Sequence, residues 1–498
     1  MNVQPSATLV DKVRAVLVFA TDLTAGTELA DRVHAVGTRL DGALRVALAG
    51  RVKAGKSTLL NALLGERLAP TDAGECTKVV TWYQYGSAYD VIAIGFDGTT
   101  TSVPFRRIEG ALTFDIDASQ VHLIERLVVS WPSTALLNLT LIDTPGLASL
   151  SAENSMRTTE FLALESGRAS EADAVIYLMR HLHRRDAEFL GSFMDRSVAG
   201  SSPVNAVAVL SRADEIGSGR LDALESARRI SQRYESNDVV RTLCTAVVPI
   251  AGLIAETGST LREDEAWALR QLALTPPLTL ERMLRSVDSF CDSSVSDLTV
   301  ELRRQLLERL GVFGVRFCLA FLLDHEAVTA HQLSQALVAE SGLDQLRKLI
   351  ADLFLPQAHV LKSRVALTSL RSIARDLQGV DAAKARQLAS EIERCEASSP
   401  DFATLRLSHL VLSGIVGFDS AQRAEFELIT ARSAAAAERL GAKPTANESA
   451  LRATALEGVE RWRTIAASPM ADSAMREASD TMAHTYESLF VRLHEPRG

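Results

Sequence analysis

The chain has 498 residues, 47% hydrophobic, 5% aromatic and 23% charged, with a net charge of −9. At about 100 to 200 residues per domain, this length predicts two to four domains. The acidic balance argues against general nucleic-acid binding, which needs a basic surface to displace counterions from phosphates. Five dispersed cysteines without a Cys-x-x-Cys pair favour neither a disulfide framework nor a zinc site and fit a reducing compartment.

The N-terminal residues, 1–42, contain two helical patterns at about 8–21 and 24–40. The first ten residues carry no Lys or Arg, and charges interrupt the apolar stretch that follows, so we do not expect a secretory signal. No run approaches the roughly 20 apolar residues that a membrane-spanning helix needs. Any membrane contact is therefore expected to be peripheral.

Residues 43–256 alternate short β-rich runs with helical stretches. This alternation predicts a three-layer α/β domain with a mostly parallel central sheet. The predicted strands are "LRVALA", "KVVTWYQY", "YDVIAIGF", "RLVVSW", "LNLTLI", "ADAVIYLM", "VNAVAVL" and "TAVVPI".

The stretch "GRVKAGKS", residues 50–57, fits the pattern G-x-x-x-x-G-K-[ST] between a predicted strand and a predicted helix. Glycines let backbone N–H groups surround a β-phosphate, and the helix N-terminus adds a favourable dipole. Lys56 would span the β- and γ-phosphates, and the Ser57 hydroxyl would hold Mg²⁺. The nucleotide-binding residues predicted here are Gly50, Lys53, Ala54, Gly55, Lys56, Ser57 and Thr58.

A second motif, "LIDTPG", places Asp143 at the end of an apolar strand and Gly146 three residues later. An acid at that position holds magnesium through water, and the Gly146 N–H can contact the γ-phosphate. Downstream of a phosphate loop, the motif indicates a nucleoside triphosphatase of the GTPase kind. The long interval between Gly50 and Asp143 predicts extra strands between the two motifs.

Within that interval, "APTDAGECTKVVTW" has the turn-rich character of a first switch loop. Thr77 is our candidate to close over Mg²⁺ and the γ-phosphate. Thr71 is the alternative, and the interpretation that neither threonine is a ligand stays open.

The choice of base depends on "SRADEIG". Asp214 follows an apolar strand and could accept hydrogen bonds from guanine N1 and the exocyclic amine, which adenine does not present; an ordinary loop aspartate is the alternative. Ser211 and Arg212 stand where GTPases usually carry Asn or Thr and then Lys, and the Arg212 stem can cover the base. In "VVPIAGL", Ala251 would offer its N–H to guanine O6.

Catalysis needs a further group, because Leu147 stands where many small GTPases carry a water-orienting glutamine. An added cation near the transferred phosphoryl group is worth about 10³ to 10⁵ in rate. Lys53 lies in the phosphate loop and would supply that cation in cis or across a dimer; the alternative is a solvated loop lysine. Our candidate catalytic residues are Lys53, Lys56 and Thr77.

Residues 257–498 lose the strand signals and predict an elongated helical bundle. Two apolar segments in it invite alternative interpretations. Residues 309–324 suit a core helix or an interfacial one, and residues 410–420 suit a buried corner or a bundle tip that inserts Ile415, Val416 and Phe418 into lipid. In the preceding domain, His181 and His183 lack a third nearby ligand, so we expect a surface basic patch there and not a metal site.

Together, the phosphate loop, "LIDTPG", "SRADEIG" and the flanking helices resemble the bacterial dynamin-like GTPases and, among them, the isoniazid-inducible proteins. The resemblance implies a GTPase head on a helical neck and trunk, with the N-terminal helices joining the neck. Two departures from the eukaryotic pattern are Val52, in place of a water-holding glutamine, and Lys53, in place of a serine tied to a monovalent cation. The functional residues that it carries over are Lys56, Ser57, Thr77, Asp143, Gly146 and Asp214.

The resemblance further implies GTP and GDP as ligands, Mg²⁺, and self-association through the heads. It implies a cytoplasmic protein that remodels the inner face of the cell membrane through peripheral contact with anionic lipid, with a paralogous dynamin-like protein as a further candidate partner. The competing hypothesis is a regulatory GTPase that acts through protein partners without lipid contact. An RNA or ribosome factor is the weaker third hypothesis, since the chain is acidic and shows no RNA-reading module.

Overall fold

The computed structural model describes residues 8–69, 79–108, 111–116, 119–145, 170–193, 205–292, 298–325, 327–412, 414–430, 436–443 and 446–493. Along these residues two helices come first, a sheet-based head follows, and helices continue to the end of the chain. The predicted fold class, an α/β head with a mostly parallel sheet plus an all-α bundle, is confirmed.

Strands occur only in the head, as far as the described residues show. Their bounds are β1 Leu44–Gly50, β2 Val80–Tyr85, β3 Asp90–Gly95, β4 Thr100–Ser102, β5 Phe105–Ile108, β6 Ala111–Phe114, β7 Ile124–Trp131, β8 Leu139–Asp143, β9 Ala174–Met179, β10 Ala206–Ser211 and β11 Val247–Ile250.

Nine of these strands form one sheet in the order β11-β10-β9-β1-β8-β2-β7-β3-β4. The five strands from β11 to β8 are parallel throughout, and every residue of β9 and β10 is buried. Such strands give continuous apolar runs in the sequence because helices cover both faces of the sheet. Beyond β8 the direction reverses, since β2 is antiparallel to β8 and parallel to β7.

All eight strands predicted from the sequence are present. The prediction missed β4, β5 and β6, of which β5 and β6 form a separate hairpin. β4 is exposed along its whole length and β5 along most of it. Neither strand therefore carries the apolar pattern that sequence reasoning depends on.

Helices make up most of the remainder. Their bounds are α1 Leu9–Thr24, α2 Leu29–Asp41, α3 Lys56–Leu64, α4 Arg184–Phe193, α5 Ala223–Glu235, α6 Asp238–Arg241, α7 Gly252–Thr260, α8 Glu263–Ala273, α9 Pro277–Met283, α10 Val287–Asp292, α11 Val300–Asp324, α12 Ala330–Ser341, α13 Leu343–Leu349, α14 Ala358–Gln378, α15 Ala382–Ala397, α16 Pro400–Leu412, α17 Ser420–Thr430, α18 Ala436–Arg439, α19 Glu448–Ala466 and α20 Ser473–Arg492.

The two N-terminal helices pack against α14, and α1 also packs against α15. The first helix begins at Thr8, which forms a capping box with Asp11. The N-terminal helices thus pack on helices of the second half of the chain. The division into N-terminal neck helices (1–42), head (43–256) and neck with trunk (257–498) stays a proposal. The head's apolar core nevertheless continues past that boundary, because α8, α11 and α12 share a buried cluster with the sheet.

Most apolar side chains of the two apolar segments of the helical half pack inside the protein, with Leu323, at 61% exposed, as an exception. Within α11, Leu310, Val315 and Cys318 are fully buried against the head, so the core-helix interpretation of residues 309–324 is confirmed. In the 410–420 corner, Val416 is 2% and Phe418 7% exposed, and Ile415 packs partly buried against the same cluster.

The aromatic packing explains why the corner is buried. The Phe418 ring lies 5.1 Å from the ring of Trp462 in α19. The buried-corner interpretation is therefore confirmed, and the interpretation with these side chains in lipid is wrong for this conformation. No helix within the described ranges is long and apolar enough to span a bilayer.

Candidate nucleotide site

The phosphate loop connects the end of β1 to the start of α3. Gly50 has φ 148°, and a Cβ atom there would lie 2.4 Å from the backbone oxygen of Leu178 in β9. Only glycine fits such a position, because the clash is with backbone and not with a movable side chain. Gly55, with φ 90°, caps the N-terminus of α3.

Lys53 adopts a left-handed backbone with φ 62°. For a residue with a side chain this conformation costs about 1 kcal/mol. The turn is held by the Ala54 N–H, which donates to the Arg51 carbonyl at 3.1 Å. The Lys53 side chain itself is exposed. The loop therefore holds a cation at its outer surface at the cost of local strain.

Lys56, unlike Lys53, is buried and only 9% exposed. Its Nζ donates to the carbonyl oxygens of Gly50 at 3.3 Å and Arg51 at 3.5 Å. Burial lowers the pKa of Lys56, while the charge of Asp143 acts in the other direction. The ammonium group is thus held beneath the loop, where a phosphate would be bound.

Asp143, at the end of β8, faces the start of α3. Its Oδ2 accepts a hydrogen bond from the Ser57 hydroxyl at 2.8 Å, and its Oδ1 is buried without a hydrogen-bond partner among the described residues. Burial raises the pKa of Asp143, against the opposing effects of Lys56 and Ser57. A buried carboxylate with an unused oxygen beside a hydroxyl is a donor set that suits Mg²⁺, a hard cation with oxygen ligands.

The remaining predicted phosphate-side residues lie outside the described part of the chain. These residues are Thr71, Thr77, Gly146 and Leu147, and their roles stay predictions. Thr144, which directly follows Asp143, is buried and donates its hydroxyl to the Leu48 carbonyl at 2.8 Å. This bond fixes the exit of β8 against β1, so the chain leaves the sheet beside the phosphate loop.

A cleft extends from the phosphate loop towards the end of β10. It brings together the two predicted motifs, because Gly55 and Asp214 both line it. Asp214 is 6% exposed. The residues that line the cleft are Ala54, Gly55, Thr58, Leu59, Leu178, Val209, Ser211, Arg212, Asp214, Glu215, Ile250, Gly252 and Leu253.

The Asp214 carboxyl is buried beside a cluster of charged side chains. Burial raises the pKa of Asp214 to about 6, and the charge of Glu215 acts in the same direction. Glu215 is itself paired with Arg212 and Arg180, each at 2.7 Å. Arg212 has a left-handed backbone with φ 54°, so the predicted base-covering residue, like Lys53, sits in a strained turn.

Ala251 lies at the predicted place but differs in its hydrogen bonding. Its N–H donates to the Ser341 carbonyl at 3.0 Å, so in this conformation it is not free for guanine O6. The next residue, Gly252, lines the cleft instead. The spacing of motifs in the sequence located this loop correctly. The hydrogen bond to Ser341 could not be predicted from a local motif, because Ser341 in α12 lies about 90 residues later in the chain.

Sequence reasoning missed two further positions near the site. α11 kinks at Gly311, with φ 65°, where a Cβ would be 3.7 Å from the Asp214 carboxylate. Asn61 is fully buried and accepts hydrogen bonds from the N–H groups of Leu68 at 3.0 Å and Ala69 at 2.7 Å. It thereby holds the chain that enters the predicted first switch loop, and the signal for it is a polar residue among the apolar positions of α3.

Residues 46–198 match the Dynamin family. The isoniazid-induced protein IniC of Mycobacterium tuberculosis is 36% identical to this chain over 468 residues, which are 93% of each protein. The chain belongs to the dynamin family. The bacterial dynamin-like protein of Nostoc punctiforme is 31% identical over 150 residues, 28% of this dynamin-like chain and 20% of that protein.

A solved structure of an oligomerised bacterial dynamin pair aligns with 98% of this dynamin-like chain and 76% of its own, with a TM-score of 0.30 and 15% identity. That likeness is too low to support a conclusion. The resemblance to the isoniazid-inducible proteins, stated from the motifs, is confirmed by the match to IniC.

Proposed function

We propose that this dynamin-like protein binds GTP and hydrolyses it to GDP and phosphate. The observation that carries the proposal is that Gly55 and Asp214 line one cleft. Lys56 and Ser57 follow Gly55 at the start of α3, and the Ser57 hydroxyl donates to Asp143. A guanine base at Asp214 would thus place its phosphates at the N-terminus of α3, where the helix dipole favours anions.

Different residues of the chain would bind the phosphates, supply the catalytic charge and hold Mg²⁺. Lys56 and the loop N–H groups, from Gly50 to Thr58, bind the phosphates, and Lys53 supplies a positive charge where charge develops on the transferred group. Ser57 and Asp143, with Thr77, would hold Mg²⁺, which neutralises phosphate charge when bound. The Ser211 hydroxyl donates to the Met179 carbonyl at 3.2 Å, so in this conformation it connects the ends of β10 and β9.

We further propose that the protein self-associates through its heads and remodels the inner face of the cell membrane by peripheral contact with anionic lipid, with a paralogous dynamin-like protein as a candidate partner. Membership of the dynamin family supports this part. The burial of residues 309–324 and 410–420 favours the alternative, a regulatory GTPase without lipid contact. Lipid binding would therefore need another surface or another conformation.

Turnover measurements with and without lipid distinguish these functions. GTP and ATP hydrolysis should each be followed with no vesicles, with neutral vesicles and with anionic vesicles. We expect turnover of GTP and not ATP, with faster GTP turnover and co-sedimentation on anionic vesicles. Equal use of both nucleotides would contradict the role of Asp214. GTP turnover that is indifferent to lipid, without co-sedimentation, would favour the regulatory alternative.

Asp214→Asn should exchange the preferred base. An asparagine cannot accept both donors of guanine, and losing two hydrogen bonds to a charged group, at about 1.5 to 3 kcal/mol each, weakens GTP binding by about 10²-fold or more. The new amide can donate to the 2-oxo group of xanthine, so XTP should bind better than GTP. Competition binding with GTP, XTP and ATP measures this; unchanged GTP preference would contradict the assignment.

GDP binding should weaken as the pH falls below about 6, where Asp214 takes up a proton. Binding weakens at low pH because the N–H donors of guanine favour the ionised carboxylate of Asp214, so protonation of that carboxylate competes with GDP binding. Calorimetric titration on both sides of that pH measures the effect. Asp214→Asn is the control, because it keeps the titration of the phosphates and lacks that of the carboxyl. Parallel pH profiles for the two proteins would show that Asp214 does not titrate in the site.

A further inference from the structure

A cavity of about 740 Å³ lies where the head sheet meets the neck helices. Its walls come from α2, from β1, β2 and β7, and from α14. A cavity of this size is typical of small-molecule sites. We call it the arginine pocket; the charged residues that line it are Arg32, Arg39, Arg45, Arg126, Glu171 and Asp376.

Positive charge is concentrated in the arginine pocket. Four arginines line it against two carboxylates. The guanidinium carbons of Arg45 and Arg126 lie 4.5 Å and 5.0 Å from the ring centroid of Trp82, so both groups are held against one indole. Burial lowers the pKa of Arg45 to about 10, and the charges of Arg39 and Arg126 add to this effect.

The carboxylates beside these arginines differ in how firmly they are held. Arg39 pairs at 3.1 Å with Asp173, which is fully buried. By contrast, Glu171, Asp376 and Glu125, the partners of the other three arginines, are 45%, 50% and 44% exposed. Water competes for these half-exposed carboxylates and weakens the ion pairs, whereas the side chains of Arg45 and Arg126 are mostly buried. An incoming anion can therefore displace these carboxylates into solvent.

Unused donors remain on the same side chains. The Nε atoms of Arg39 and Arg126 are buried and have no hydrogen-bond partner among the described residues. The side chains of Arg45 and Arg126 are 21% and 27% exposed and lie against the Trp82 ring, so the fold restricts their orientation. Guanidinium groups fixed in this way are pre-arranged for the paired oxygens of a phosphate.

We propose that the arginine pocket binds a phosphate-bearing anion through Arg45, Arg126 and Arg32. The pocket is distinct from the nucleotide site: Arg45 is at the start of β1 and the phosphate loop follows its end, about 17 Å away at 3.3 Å per residue. A bound anion would contact the sheet through Arg45 and Arg126 and α2 through Arg32. It would therefore fasten the head to the neck in the conformation seen here.

Binding is tested with inorganic pyrophosphate on the full chain saturated with GDP, so that the nucleotide site is already filled. Calorimetry should show saturable pyrophosphate binding. Arg45→Gln and Arg126→Gln should each weaken it at least about tenfold, the loss of one charge-assisted contact. Glu171→Gln should tighten it, since a competing carboxylate is removed. Arg106→Gln, which removes an exposed arginine paired with Asp115 on the β5–β6 hairpin, is the matched control and should leave it unchanged.

Retained GDP binding shows that each variant is folded, and Arg126→Gln serves if Arg45→Gln does not fold. The source of the anion is separated with vesicles of phosphatidylcholine alone or with phosphatidylglycerol. Binding to the anionic vesicles that pyrophosphate displaces would assign the pocket to a lipid headgroup, and binding of pyrophosphate alone would assign it to a free phosphate compound. No pyrophosphate binding to the GDP-saturated protein, or equal binding by wild type and both arginine variants, would overturn the proposal.

Discussion

Lys53→Ala should reduce GTP turnover by about 10³-fold while changing the dissociation constant for GTP only a few-fold. Lys53 lies on the exposed side of the loop, and no hydrogen bond from its side chain is found within the described residues. Its charge would thus act mainly on the transferred group, where negative charge shifts during phosphoryl transfer. Single-turnover hydrolysis and equilibrium binding, measured separately, distinguish a catalytic effect from a binding effect.

Two further variants separate the charge of Lys53 from its backbone. Lys53→Arg keeps the charge and should keep most of the turnover. Lys53→Gly removes the charge and also relieves the left-handed strain at φ 62°, so it should be as slow as Lys53→Ala although the loop is more relaxed. If the alanine variant hydrolyses GTP at the wild-type rate, Lys53 is a solvated loop lysine and the catalytic charge must come from elsewhere.

Lys56→Ala should instead weaken GTP binding, by about 10- to 100-fold or more. The side chain is buried under the loop, and each charge-assisted hydrogen bond that it would make to phosphate is worth about 1.5 to 3 kcal/mol. The substitution also leaves Asp143 without the positive charge that now opposes the rise in its pKa. Equilibrium titration with a non-hydrolysed GTP analogue measures the loss.

The matched control is Lys348→Ala, which removes an exposed lysine from α13 and should leave the affinity unchanged. The thermal unfolding temperature without nucleotide should also be followed, because a buried lysine is replaced. Wild-type affinity in a folded Lys56→Ala protein would mean that this loop does not bind the phosphates, and the nucleotide site would then have to be placed elsewhere.

Much of the head could be predicted from local sequence. Fully buried strands such as β9 and β10 are continuous apolar runs, and the phosphate loop has its glycines and lysine at fixed spacing between a strand and a helix. These features are encoded within a few neighbouring residues. The prediction missed β4 and β5 for the converse reason, since exposed short strands carry no apolar pattern. It missed β6, although Leu112 and Phe114 are buried, because four residues are too few to show a period.

The sequence by itself thus determined the fold class, most of the order of the elements and the motifs from which we propose a nucleotide site at Lys56, Ser57, Asp143 and Asp214. Only the tertiary structure decided contacts between distant parts of the chain. It turned the 410–420 corner inward against α19 and engaged the Ala251 N–H with Ser341. It also gathered arginines from α2, β1 and β7 into one pocket. The physical reason is that hydrogen bonding and burial depend on what packs against a residue, and those neighbours lie far along the chain.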